Sequence, residues 1–174
     1  LYRSEPGASL GKARLMLSIV LHPPHKKFAA LAAKDAAFLR RVLRETFKAA
    51  KLPDKKYIVS IVLSDDASVR ELNRTFRHKD KPTNVLSFPQ FDDMKALKKA
   101  KAPVELGDII LAAETIKKEA KDQRKTFRDH TAHLLAHGLL HLVGCDHDTD
   151  KNAAQMEKME IAVLVKLGID NPYE

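Results

Sequence analysis

The chain of 174 residues contains one cysteine, Cys145, so no disulfide can form within it. A reducing compartment, the cytoplasm, is the expected setting. No apolar run approaches the ~20 residues that span a bilayer, so no membrane partner is expected. The apolar stretch 15–21 (LMLSIVL) is short and is followed by His22-Pro23-Pro24, which reads as a strand rather than a signal core. Aromatic residues make up only 6% and are scattered, which argues against a module that binds by stacking bases on rings. There is no internal repeat and no long linker. Residues 1–13 (LYRSEPGASLGKA), opening on Leu1, are mixed in character and are expected to be a tag, a processed end or a loose terminus. Residues 14–174 are expected to form a single domain.

Hydrophobic residues at 44% and charged residues at 31% describe a chain that folds. The formal net charge is +8, from 31 Lys and Arg against 23 Asp and Glu. A basic surface favours polyanions, most often nucleic acid, because neutralising phosphates releases counterions. Charge by itself does not select nucleic acid, since many basic proteins bind nothing anionic.

The patterning predicts a strand at 15–21 and an amphipathic helix at 34–51, ended by Pro53. A nearly continuous β-rich run at 57–63 predicts a buried strand. Asp65 or Asp66 can cap a helix reaching about Phe76, followed by a basic loop at 77–83 and a short strand at 84–88. Residues 90–105, with Asp-Asp, a lysine cluster and Pro103, predict a mobile exposed loop. A strand at 107–111, a charged helix at 112–124, an apolar helix at 129–143 and an amphipathic helix at 152–167 complete the chain. Interleaved strands and helices place it in the α/β or α+β class with one small sheet.

The apolar helix carries the chemistry. In residues 131–144 (TAHLLAHGLLHLVG) the only polar side chains besides Thr131 are His133, His137 and His141. A helix apolar nearly all round is a buried one. Leu135, Leu139 and Leu142 fall opposite His137 and His141, so the leucines face a core and the histidines face something else. His137 and His141 are four apart, on one face with a rise of about 6 Å, which lets two imidazoles meet one ion. His133 to His141 spans roughly 12 Å of axis, so three rings on one straight helix cannot share an ion. Gly144 can end the helix in the left-handed conformation and let the chain bring His147 back to the same face. Three protein ligands leave a fourth position open, as in a catalytic rather than a structural zinc site. Other first-row divalent ions take such sites as well. The ordinary alternative is three buried, hydrogen-bonded histidines. His130 and His133 are left to that role, the alternative being that either lines the cleft or bonds a ligand; Cys145 is not counted as a donor.

The spacing also matches His-Glu-x-x-His-x-x-Gly-x-x-His, the mark of metzincin peptidases. Gly138 stands where their glutamate base would be, and a glycine cannot take a proton. The metal geometry is metzincin-like; peptidase chemistry is not expected.

The stretch His137-Gly138-Leu139-Leu140-His141-Leu142-Val143-Gly144-Cys145-Asp146-His147 resembles the signature of the YbeY family, metal-dependent endoribonucleases of ribosomal RNA maturation. Cys145 replaces the family's usual tyrosine. A second similar stretch runs from Leu72 to Pro89 (LNRTFRHKDKPTNVLSFP), with His78 where the family usually has glycine, and a third is Gly107-Asp108-Ile109-Ile110. The resemblance covers roughly residues 55–172. It implies a small mixed sheet flanked by helices, with a three-histidine site on a central buried helix. It implies one zinc ion on His137, His141 and His147, and a functional arginine at Arg77. It also implies single-stranded RNA as substrate, in 3′-end processing of small-subunit ribosomal RNA and ribosome quality control, with small-subunit ribosomal proteins as further partners. A guanidinium fork suits a phosphate better than an ammonium does, and Lys79 and Lys81 beside Arg77 are candidates for the RNA backbone. In this reading the ion activates water and Arg77 stabilises charge on the scissile phosphate. No general base is evident; Asp146 and Asp148 flank His147 and are either hydrogen-bond partners of the site, proton acceptors or plain surface carboxylates. Two other functions are compatible with the pattern: a metal-dependent hydrolase of another substrate, and a non-catalytic ribosome-assembly factor with a structural metal.

Overall fold

The computed structural model describes the backbone of residues 9–10, 13–21, 26–53 and 55–174, and side chains from Asp35 onward except at position 54. Five strands form one mixed sheet, in the order β1 (Ser9–Leu10), β2 (Ala13–Leu21), β3 (Lys56–Ser64), β5 (Val104–Ala112), β4 (Val85–Pro89). Strands β2, β3 and β5 run parallel. The two-residue β1 pairs antiparallel with β2, and β4 antiparallel with β5. Of the terminus expected to be loose, residues 1–8 and 11–12 lie outside the described residues.

Alternation along β3 explains the layering. Tyr57, Val59, Ile61 and Leu63 are buried on one face of the sheet. They join Leu39, Val42, Leu43 and Phe47 of α1 (Lys26–Ala49), Leu135, Leu139 and Leu142 of α5 (Phe127–Leu142), and Val163 and Leu164 of α6 (Asp150–Lys166) in the main core. Each fully buried aliphatic side chain of this kind stabilises the fold by about 1.5–3 kcal/mol. On the opposite face, Val69 of α2 (Asp66–Arg77) meets Leu86, Ile110 and Ala112 in a smaller cluster. Asp65 caps α2, its carboxylate accepting from Ser68 N at 2.8 Å. The charged helix α4 (Ala113–Asp122) follows β5 directly. Among the described residues no helix is long and apolar enough to cross a membrane.

Two expectations need correction. The segment 90–105 is not a mobile loop. Asp93 caps a short helix, α3 (Met94–Lys99), and Leu97 is 0% exposed within the main core. Lys55 Nζ also donates to the carbonyls of Lys98 and Ala100 at 2.6 and 2.7 Å. The lysines around Leu97 conceal this fully buried anchor, and Phe91, Met94 and Ala100 beside it also pack on the main core. The first long helix begins at Lys26 rather than 34, with a break at Asp35 (φ −118°, ψ 15°), so the periodicity beyond the break describes only its second segment.

Candidate metal centre

Helix α5 reaches the site because its small residues let it lie close to the sheet. Gly138 is buried, and Ser87 Oγ of β4 donates to its carbonyl at 3.3 Å. Leu135, Leu139 and Leu142 point into the core with no exposed surface, which turns His137 and His141, both half-buried, toward the other side. The helix ends in a Schellman arrangement. Cys145 N donates to Leu140 O at 2.9 Å and Gly144 N to His141 O at 3.0 Å, with Gly144 at φ +87°. A side chain at 144 is excluded twice over, since its Cβ would also lie 2.6 Å from Met94 N. The loop beyond is tied by Asp146, whose Oδ1 accepts from Asn152 Nδ2 at 2.6 Å and from Asp148 N at 3.3 Å.

This turn places the exposed His147 beside the α5 pair. One ring nitrogen from each of His137, His141 and His147 lies within 4.8 Å of the others. His137 Nε2 and His141 Nε2 are 3.0 Å apart. Burial, followed by the charges of His137 and His147, pushes the His141 ring down to about 4. It is therefore neutral at pH 7, with a lone pair to give. Three close imidazoles of which a central one resists protonation fit a zinc-type ion by the chemistry of the donor set. Cys145 is half-buried, packs on the main core, and lies outside this donor group. Burial, then the charges of Asp146 and Glu160, pushes its thiol up, away from a ligating thiolate.

The histidines line a cleft of about 510 Å³ that Arg77, Asn84 and Ser87 also line. Arg77, the last residue of α2, is exposed. The loop that follows is clamped. Asn73, 1% exposed, donates to Lys81 O at 2.8 Å, and Arg70 forms a two-pronged bond with Asp80 at 2.8 and 2.9 Å. Lys79 and Lys81 are exposed on this loop and are not among the residues lining the cleft. His78 adopts the left-handed conformation (φ 56°) that the family's glycine would take more cheaply.

The other helix histidines join carboxylates. His130, 3% exposed, has Nε2 2.7 Å from Glu119 Oε2, and Glu119 also accepts from Asn84 Nδ2 at 3.0 Å. His133 Nε2 lies 2.9 Å from Glu160 Oε2. Glu160 is the residue that sequence reading missed. It is 0% exposed on α6, and its Oε1 lies 2.9 Å from His137 Nδ1. Burial pushes its carboxyl up, but bonds from His133, His137 and Tyr173 outweigh that and hold it down at about 2. A signal for it existed. Glu160 interrupts the apolar row Met156, Val163 and Leu164, at the spacing of a buried helix face.

The chain is similar to known proteins along most of its length. The family model described as Endoribonuclease YbeY matches residues 25–168. A protein of Paramagnetospirillum magneticum named Endoribonuclease YbeY is 55% identical over 125 residues, covering 72% of this chain and 76% of that one. One of the same name from Rhizobium etli is 46% identical over 139 residues, covering 80% and 77%. Among solved structures, the solution structure of TM1509 from Thermotoga maritima is similar at 25% identity and a TM-score of 0.59, covering 87% of this chain and 89% of that one. With a family match spanning most of the chain and relatives near half identity, this chain belongs to the YbeY endoribonuclease family.

Proposed function

We propose that this chain is a zinc-dependent endoribonuclease that cuts single-stranded RNA, and that residues 14–174 act as one domain. Its substrate in this reading is ribosomal RNA at the 3′ end of the small subunit, met in the cytoplasm beside small-subunit ribosomal proteins. One observation carries the reading: three converging imidazoles open onto a cleft that Arg77 also lines. His137, His141 and His147 would hold the ion. When bound, a zinc-type ion supplies Lewis acidity, making a water more acidic and polarising a phosphoryl oxygen.

The remaining work falls to the chain. Arg77 binds the scissile phosphate through its planar fork and stabilises the charge that grows there. Asn73 and the Arg70–Asp80 pair fix the turn after α2 that starts from Arg77. Asp146 is engaged with Asn152 and Asp148, which pull its carboxyl below the ordinary range, so it orders the His147 loop and is a poor base. Lys79 and Lys81, exposed on the loop after α2, would meet RNA phosphates outside the cleft in this reading. The test is cleavage of an end-labelled single strand and its duplex by protein reconstituted with zinc, manganese or cobalt. Metal-restored cleavage of the single strand alone supports the reading. No cleavage with any metal removes it.

A further inference from the structure

We propose that Glu160 is a positioning residue that fixes the metal-binding form of His137. This rests on reading His137 as a ligand. A neutral imidazole carries one N–H and one lone pair, and an ionised carboxylate can only accept. Glu160 Oε1 lies 2.9 Å from His137 Nδ1, so Nδ1 holds the proton and Nε2 keeps the lone pair. Nε2 is the atom that faces His141 Nε2 at 3.0 Å, inside the three-histidine group. The same bond sets the ring's rotation, because His137 on α5 is held from α6 across the helix interface.

The carboxylate is itself held in place. Its Oε2 receives His133 Nε2 at 2.9 Å and the Tyr173 hydroxyl, and no water reaches Glu160, which is 0% exposed. All three partners are donors, and they use both oxygens. His133 is a turn too far along α5 to ligate the same ion, yet it acts on the centre through Glu160. Its ring also meets the Tyr173 ring edge-on, with centroids 5.5 Å apart. The segment after α6 is anchored by Lys125 Nζ, which donates to Pro172 O at 2.7 Å. A chain of contacts therefore runs from the residues after α6, through a buried carboxylate, to a candidate ligand. Outer partners of ligating histidines are worth about 10–100-fold in metal affinity.

Two measurements test this. The first uses metal-free wild-type protein with ¹⁵N-labelled histidine, and reads the His137 tautomer at pH 8 by long-range proton–nitrogen correlation. Protonation at Nδ1 is expected; protonation at Nε2 overturns the proposal, and this arm needs neither a variant nor metal. The second measures zinc affinity by competition with a chromogenic chelator in wild type and Glu160→Gln, an isosteric change whose folding is checked by circular dichroism. The variant is expected to bind zinc about 10–100-fold more weakly. Equal affinity in both overturns the role of Glu160 while leaving the ligand reading intact. A wild type that binds no zinc overturns the ligand reading itself, and Glu160 with it.

Discussion

Gly138 passes so close to β5 that a Cβ there would lie 2.9 Å from Ile109 Cγ2. It would also lie 3.1 Å from Ser87 Oγ. Ile109 is 0% exposed in an inner strand and has no room to retreat. The contact that seats α5 on the sheet thus leaves no space for the glutamate that follows the first histidine in metzincins. Gly138→Glu is expected to cost at least about 3 kcal/mol, from overpacking and from an unpaired buried carboxylate. Urea unfolding checks this. A Gly138→Glu protein as stable as wild type would show that α5 sits further from the sheet than described.

Arg77 shares the cleft with the histidines but is not one of the three grouped donors. Its removal should therefore separate catalysis from metal binding. Arg77→Ala is expected to slow RNA cleavage by about 10²–10³-fold, the usual loss for one donor to a charged transition state. Zinc affinity should stay unchanged. Arg77→Lys should restore only part of the rate, because an ammonium lacks the two-pronged geometry. Full activity in Arg77→Ala would assign the phosphate to another group.

Two strongly depressed groups at the site contribute to the pH response of the metal-free protein. The His141 ring titrates near 6.5 when unfolded and about 4 when folded, because burial and its histidine neighbours oppose its charge. The unfolded chain takes the proton first, so this stabilisation is complete above pH 6.5 and is lost as pH falls toward 4. Glu160, shifted from 4.5 to about 2, adds a second loss in that lower window. Thermal melts from pH 8 to 3 should show stability declining in that order. In His141→Ala the decline between pH 6.5 and 4 should be shallower. An identical slope in both proteins would mean that His141 is solvated.

Much of the fold is legible along the chain because its signals are local. The β-rich run Tyr57–Leu63 marks a strand, and Gly144 marks the turn that carries His147 back to α5. What escaped depends on distant partners. Leu97 is the one buried residue of a lysine-rich helix too short to display a period. The order that seats β5 between β3 and β4 is set by packing, not by neighbours in sequence. Glu160 is marked only by its place on the apolar face of its helix, and its three donors appear only when α6 is laid against α5.

His78 holds a backbone conformation that suits glycine, at φ 56° beside Arg77. His78→Gly removes the left-handed strain but enlarges the freedom of the unfolded chain. The net expectation is a gain of about 0.5–1 kcal/mol. That corresponds to a rise of about 1–4 °C in Tm for a chain of this size. A fall in Tm would show that the His78 side chain makes a contact worth more than the strain.

The histidine group is proposed to be a catalytic metal centre. Its most direct test is cleavage of one single-stranded RNA by zinc-loaded wild type and by His141→Ala, purified and treated identically. Cleavage by the wild type is expected, with its loss in the variant and no bound zinc in the variant at equal metal concentration. Equal cleavage by both proteins would contradict it.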